Sequence, residues 1–333
     1  MMRDWEIFLY WGDRNDCPVT EHIPLHDESD RARWFGEENL DPNTLPAVAG
    51  NWDWQSETWR EFNARSIVEL TRRVQPQDLI LLTGGWAAHP VAHAFPNVIS
   101  CEWAAGYSGW FLPYVCFESY AWRSHCYGTK GIHDGRFYDT VIPNFFDPLE
   151  WPRKLPRKQD YLVYLGRLIH RKGITVAADI ARRAGLPLYV AGSGAAEVSE
   201  GLIVCHDGSR IEGDVHYVGT VGVEERAELV GAARALLCPT LYIEPFGAVA
   251  VEAQLCGTQP IATDWGAFPE TVADGFRFST IREGVECVER AFDTNPKQLR
   301  LEALERWSLD AVRPRYERWF RQLAGLWDGG FYA

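Results

Sequence analysis

The sequence predicts an α/β protein built as two βαβ domains, and three observations carry that expectation. Short apolar runs alternate with amphipathic stretches along most of the chain, the order that makes parallel sheets with crossover helices. Several of those runs stop at glycine turns, among them Gly84-Gly85 and Gly192-Ser193-Gly194. The length, 333 residues, corresponds to about two domains at roughly 150 residues each. A composition of 46% hydrophobic and 24% charged residues suits two packed cores and excludes a disordered chain, a collagen-like repeat or a coiled coil.

In the first half, Glu6 to Trp11 reads as a buried strand closed by the turn Gly12 to Asp16. Residues 17–55, polar and rich in Pro, Asp and Asn, read as one long irregular segment. An amphipathic helix is expected from Trp59 to Arg73, on Phe62, Ile67, Val68 and Leu70. Strands are expected at 78–83, 97–101 and 139–144. The stretch 146–158 holds Pro148, Pro152 and Pro156 and a basic run from Arg153 to Lys158, and reads as a linker. The second half carries strands at 161–165, 188–191, 216–218, 235–239 and 259–263, interleaved with helices at 173–184, 223–234 and 248–255. This is a doubly wound pattern, in which ligands bind at the carboxyl ends of the strands. A last amphipathic helix spans 310–327. The expected organisation is a first domain over 1–146, a linker over 147–158, a second domain over 159–308 and a tail helix over 309–333.

Charge and cysteine usage narrow the function. The chain has 33 basic and 46 acidic residues, a formal −13, which opposes indiscriminate binding to a phosphate backbone. Its eight cysteines form no Cys-x-x-Cys pair, and several sit in apolar runs such as Leu236-Leu237-Cys238, where a free thiol packs as a small hydrophobe. That usage fits a reducing compartment. With no apolar leader core at the start and no uncharged stretch long enough to span a bilayer, the expectation is a cytoplasmic protein without a transmembrane segment. Tryptophan is abundant, 15 against two Met, and ten of the 15 lie at or before Trp122. Such rings fill cores, and exposed ones make platforms for flat ligands or sugars.

The most informative segment is Glu244-Pro245-Phe246-Gly247-Ala248-Val249-Ala250-Val251-Glu252. It puts one carboxylate in the loop after a strand and another inside the next helix, where Glu252 lies among Val249, Val251, Ala253 and Leu255. A charge in such an apolar stretch needs a partner. Phe246-Gly247 admits close approach of a ligand to the backbone, and the helix start offers free N–H groups to phosphate. Leu165 to Gly173 delivers Arg167 and Lys172 to the ligand end of another strand, a bidentate phosphate binder and a point charge. Ala191-Gly192-Ser193-Gly194 and Asp264-Trp265-Gly266-Ala267-Phe268-Pro269-Glu270 are further turns at the same edge. No Asp-x-Asp pair is present, and no metal is expected.

Taken in order, Leu165-Gly166-Arg167…Lys172-Gly173, Ala191 to Gly194, Glu244-Pro245-Phe246-Gly247…Glu252-Ala253 and Thr263-Asp264-Trp265-Gly266…Pro269-Glu270 resemble the retaining, GT-B-fold glycosyltransferases of the Glu-x7-Glu class (family 4, glycogen-synthase-like). Val141-Ile142-Pro143-Asn144-Phe145-Phe146-Asp147 is similar to that family's V-x-P-N-G-V-D entry to the second domain. The resemblance covers about residues 139–275 and departs at Phe145, Ala267 and Gln254. It implies two Rossmann-like domains facing across a cleft, with the tail helix over 309–333 packing back on the first. It also implies transfer of a hexosyl or pentosyl group, with retention, from a nucleotide-diphosphate sugar such as a UDP- or GDP-sugar; the donor is a substrate, and no cofactor is expected. Arg167 and Lys172 would neutralise the departing diphosphate in place of a metal ion, Glu244 would position the donor sugar, and Glu252 would hold the ribose. Gly192, Ser193, Gly194, Phe246, Gly247 and Gly266 would line the donor.

The acceptor is expected on the first domain. Residues 101–128 are aromatic and glycine-punctuated, and Glu102, Tyr107 and Trp110 are candidates, with His89 and Asp13 beside them. Trp103 or Trp110 could stack on a sugar or a nucleobase. The acceptor class stays open between a glycan, a lipid-linked or small-molecule hydroxyl, and a hydroxylated DNA base flipped from its duplex. The net charge opposes the DNA reading, although Arg123, Lys130, Arg136 and the 153–158 cluster could form a local track. A non-catalytic nucleotide-sugar or glycan-binding protein is the remaining alternative.

Overall fold

The computed structural model of the protein describes residues 5–36, 51–152 and 154–329. These form two compact units. Unit 1 takes the chain up to Glu118, Lys130–Ile142 and the part from Arg313 onward; unit 2 takes Ser119–Thr129 and Pro143–Val312.

Unit 1 opens with β1 (Phe8–Gly12) and β2 (Glu21–His26), paired in parallel as their own two-stranded sheet. The segment expected to be a buried strand is therefore an exposed one: Phe8 and Trp11 are 41% and 53% exposed, because only one neighbour strand covers it. The irregular segment expected over 17–55 is corrected as well. It contains β2, whose Ile23 and Leu25 alternate into the core, and α1 (Glu28–Phe35). A capping box starts α1: Asp27 accepts from the Asp30 N–H at 3.0 Å, and Asp30 accepts from the Asp27 N–H at 3.3 Å. Residues 37–50 of that segment lie outside the described residues. Then follow α2 (Glu57–Thr71), β3 (Leu79–Leu82), α3 (His89–Ala94), β4 (Ile99–Ala105), β5 (Val115–Phe117) and β6 (Thr140–Val141). β3 to β6 form a parallel sheet in that spatial order. Leu70, Ile80 and Val91 pack one helix-on-sheet layer, and Cys101, Val115, Cys116 and Phe117 are fully buried in the sheet's centre.

Unit 2 begins with α4 (Tyr120–Thr129), a helix outside the elements expected from sequence. Its first N–H groups, of Tyr120 and Ala121, both donate to the Glu270 carboxylate. Its main sheet is six-stranded and parallel, in the order β12-β8-β7-β13-β14-β15. The strands are β7 (Leu162–Leu165), β8 (Leu188–Ala191), β12 (Val215–Gly219), β13 (Ala235–Cys238), β14 (Gln259–Thr263) and β15 (Arg277–Phe278). The period of two is clean: Leu162 and Tyr164 enter the core under one helix layer, while Tyr161 and Val163 enter the other. α5 (Ile174–Ala184) and α9 (Ile281–Ala291) supply the first layer. α6 (Val223–Ala232), α7 (Ala248–Leu255) and α10 (Pro296–Trp307) supply the second. The short α8 (Phe268–Thr271) follows β14. Where the doubly wound pattern calls for a helix after β8, the chain instead makes an antiparallel meander. It consists of β9 (Ala195–Ser199), β10 (Leu202–Cys205) and β11 (Arg210–Glu212). Ile203, Cys205 and Ile211 alternate inward from it, too short a pattern to stand out in the sequence.

The last helix, α11 (Leu309–Ala324), belongs to unit 2 at its start and to unit 1 from Arg313 onward. In unit 1 Arg315 donates to the Val141 carbonyl at 2.9 Å, and the Trp319 indole N–H donates to the Tyr138 carbonyl at 2.7 Å.

Candidate functional site

The strand order of unit 2 creates a switch point between β7 and β13. The chain leaves β7 toward one side of the sheet and β13 toward the other, so the loops after their carboxyl ends diverge and leave a crevice. The loop after β7 carries Arg167 and Lys172, and the loop after β13 carries Tyr242 and Glu244. A third loop, after β14, brings Gly266 and Ala267.

Glycines lock these loops together. Gly173 has φ +75, and a Cβ there would come within 1.9 Å of the Pro239 carbonyl oxygen. Gly266 has φ +63, and its Cβ would come within 2.6 Å of the Glu244 amide nitrogen. Only glycine permits both the conformation and the approach. Backbone bonds complete the lock: Leu241 N–H donates to Arg171 O, and Ala267 N–H donates to Glu244 O, both at 2.9 Å.

Within this frame the Lys172 ammonium meets Glu244 Oε2 at 2.8 Å. The Tyr242 ring lies beneath two cations, with Arg171 Cζ 4.9 Å and Lys172 Nζ 5.0 Å from its centroid. Burial alone would lower the Lys172 pKa; the Glu244 charge and hydrogen bond, with the Tyr242 hydroxyl, prevail and hold it above the ordinary value. Arg167 is exposed at the mouth of the same loop, and its guanidinium has no protein partner among the described residues. The result is a fixed positive pair, one cation neutralised by a carboxylate and one open.

Glu252 stands at the start of the second turn of α7, 8% exposed. Arg226 Nη1 is 3.5 Å from its Oε2, which is enclosed and accepts no hydrogen bond. Burial raises its pKa, Arg226 offsets this in part, and the Glu150 charge adds to it. A buried carboxylate oxygen that accepts no hydrogen bond keeps its capacity to accept one from a hydroxyl.

The other second-domain candidates build the frame. Ser193 O accepts from the Leu168 N–H and Gly192 O from the Tyr217 hydroxyl, each at 2.8 Å, so the Gly192-Ser193-Gly194 turn braces the Arg167 loop. Phe246 is buried in the core, and the Phe268 ring lies against Gly247. Three contributors were missed from sequence: Tyr242, Arg226 and Asp207, whose carboxylate receives the His170 and Ser209 N–H groups. Tyr242 stands two residues before Glu244 and could have been found there; Arg226 and Asp207 carry no local signal.

In unit 1, Glu102 is fully buried. Its carboxylate accepts from the Tyr107 hydroxyl at 2.7 Å and from the Phe111 and Leu112 N–H groups at 2.6 and 3.0 Å. Burial raises its pKa against these three bonds, and it raises that of Tyr107 too. Trp110 is also buried, with Lys130 Nζ 3.6 Å and Arg136 Cζ 4.6 Å from its ring centroid. The faces expected to stack on a ligand are thus covered by cations. Trp103 meets Tyr316 edge-on, their ring centroids 6.4 Å apart. Asp13 pairs with Arg31 at 2.8 Å, and that hydrogen bond lowers its pKa. His89 is half-buried in a group of rings: Trp54 and Trp86 are each 5.3 Å away and Phe111 6.2 Å. The sequence contains two His-x-x-x-His spacings, His22 with His26 and His89 with His93, and the rings of the second pair have centroids 6.3 Å apart.

Residues 146–293 match the family model of glycosyl transferases group 1. The chain is 33% identical over 159 residues to a glycogen synthase of Mycobacterium tuberculosis, covering 45% of this chain and 36% of that protein. It is 29% identical over 208 residues to a D-inositol 3-phosphate glycosyltransferase of Mycolicibacterium smegmatis, covering 56% of this chain and 46% of that one. The matches therefore span less than half the length of these relatives. Among solved structures, AviGT4, a glycosyltransferase involved in avilamycin A biosynthesis, aligns with a TM-score of 0.59 at 23% identity, over 80% of this chain and 78% of the other. Sucrose-phosphate synthase from Thermosynechococcus elongatus aligns with a TM-score of 0.60 at 20% identity, over 80% and 78%. Residues 146–293 are thus similar to the glycosyl transferases group 1 family, and the fold is that of the GT-B glycosyltransferases.

Proposed function

We propose that the protein is a retaining, metal-independent glycosyltransferase that moves a sugar from a nucleotide-diphosphate sugar to a hydroxyl acceptor. The single observation that carries the reading is the Lys172–Glu244 pair, 2.8 Å apart at the switch point of unit 2 with Arg167 open beside it. Arg167 and Lys172 neutralise the diphosphate as the bond from the anomeric carbon to the phosphate oxygen breaks. The ribose hydroxyls donate to the Glu252 carboxylate, whose Oε2 is ion-paired with Arg226 but accepts no hydrogen bond within the protein. Glu244, held by Lys172, orients the donor sugar through its hydroxyls. Because that carboxylate is already engaged by an ammonium, it is poorly placed as a covalent nucleophile. Attack of the acceptor hydroxyl from the leaving-group side is the route this favours; the acceptor's proton passes to the departing diphosphate oxygen, and the configuration is kept.

The test is the breakdown of UDP-, GDP- and ADP-glucose by the wild type and by Glu244→Ala, followed by proton NMR of the released sugar. The expected outcome is an α-configured product, unchanged rates in EDTA, and a rate that drops by about 10²-fold or more in the variant. Equal rates in both proteins, or initial release of the β-anomer, refute the reading.

A further inference from the structure

The carboxyl edge of the unit 1 sheet carries a second cluster whose chemistry is unlike the first. Three segments meet there: 51–56, the loop 83–89 after β3, and the loop 106–112 after β4. Trp86 stacks on Phe111 with centroids 5.3 Å apart at 30°, and Trp54 stands edge-on to His89. Trp52 leans on Trp59 at 5.7 Å. The loops are fixed to one another by the Trp86 N–H bond to Gly109 O at 3.0 Å, and a Cβ on Gly85 would lie 2.4 Å from that same oxygen. Despite this anchoring Trp86 is 55% exposed, Trp52 64% and Trp54 39%. Rings held rigid yet left open to water in one place are the mark of a binding platform rather than a core.

The charge of these segments is just as informative. Residues 51–56, 83–89 and 106–112 contain no Lys or Arg, and Asp53 is their one carboxylate. Asp53 is turned to its own loop, accepting from the Gln55 N–H at 2.9 Å. The cations in contact with the 106–112 loop are engaged: Lys130 donates to Trp110 O, and Arg136 to Leu112 O and Pro113 O. The His89 ring supplies a polar edge, with Nδ1 enclosed and unpartnered. None of these three segments supplies a cation to balance a phosphate, while flat rings beside one imidazole suit the C–H face and hydroxyls of a sugar.

We infer that Trp54, Trp86 and His89 form the acceptor site and that the acceptor is an uncharged saccharide. It is not a phosphorylated sugar, and it is not a base in a nucleic acid, which would need cations along its backbone. This rests on the glycosyltransferase reading for its meaning, but its test is separate. Intrinsic tryptophan fluorescence is titrated with maltose, cellobiose and maltose 1-phosphate for the wild type, Trp86→Ala, Trp86→Phe and Phe8→Ala. The expected result is saturable binding of a neutral disaccharide, at least tenfold weaker binding of maltose 1-phosphate, at least tenfold loss in Trp86→Ala, recovery in Trp86→Phe and no change in Phe8→Ala. Near-ultraviolet circular dichroism confirms that each variant is folded. Preference for the phosphate, equal binding by Trp86→Ala, or no binding of either neutral sugar overturns the inference. A parallel titration with UDP, GDP and ADP reports on the donor site, so failure of the one is distinguishable from failure of the other.

Discussion

The two carboxyl edges of this molecule solve different problems. In unit 2, the loops after β7, β13 and β14 are charged and interlocked by glycine at Gly173 and Gly266, and they fix an ammonium against a carboxylate. In unit 1, the loops after β3 and β4 are aromatic and uncharged, and the buried carboxylate of β4, Glu102, is engaged by the loop that follows it. Charge placed to 2.8 Å suits a ligand whose diphosphate never varies, whereas rings suit one recognised by shape. Substitutions at the first edge should abolish chemistry; those at the second should change which acceptor is used.

The largest expected effect is at Lys172. Lys172→Ala removes a cation from the leaving group and leaves Glu244 buried without its partner, so turnover should fall by about 10²–10³-fold and thermal stability should also fall. Turnover within a few fold of wild type would erase the distinction between the edges. Next comes Gly173→Ala, whose methyl collides with the Pro239 carbonyl at a positive φ. It should cost about 1–3 kcal/mol or more in chemical denaturation, and lose donor affinity with it. Unchanged denaturation would show that the loops are not locked.

Glu252→Gln sharpens the comparison from another side. Burial raises the Glu252 pKa above the ordinary 4.5, so the folded state holds this proton more tightly than the unfolded chain. The stability it contributes is present below that ordinary value and is lost as pH rises through the raised one. The variant should therefore lose less stability than the wild type as pH rises from the ordinary carboxyl value of 4.5, while its KM for the nucleotide sugar rises about tenfold through the missing charged acceptor. Parallel stability curves for the two proteins would contradict the assignment. The smallest effect is expected at Asp13→Asn, which loosens a partly exposed pair with Arg31 and should alter transfer by less than about twofold.

How much of this was legible in the sequence follows the same division. The second sheet could be read almost strand by strand, because runs such as Leu236-Leu237-Cys238 are buried on both faces and each is followed by a glycine or proline turn. Lys172 and Glu244 were legible because their spacing from those strand ends is part of a motif. The first unit resisted. Phe8 to Trp11 is as apolar as a core strand yet lies at a two-stranded edge, and β2 shows only Ile23 and Leu25 as pattern. Tryptophan defeats burial prediction in particular, since the same residue type fills the core at Trp110 and faces water at Trp86. Glu102 drew attention as a carboxylate after a strand, but a neighbouring loop had to fold onto it before its role as that loop's anchor could be seen.

The central claim is that Lys172, with Arg167 beside it, holds a nucleoside diphosphate at the switch point of unit 2. Isothermal titration of UDP, GDP and ADP into the wild type and Lys172→Ala tests it most directly. Saturable binding of at least one nucleotide by the wild type, and at least tenfold weaker binding by the folded variant, are expected. Equal affinity in the two proteins, or no nucleotide bound by the wild type, contradicts it.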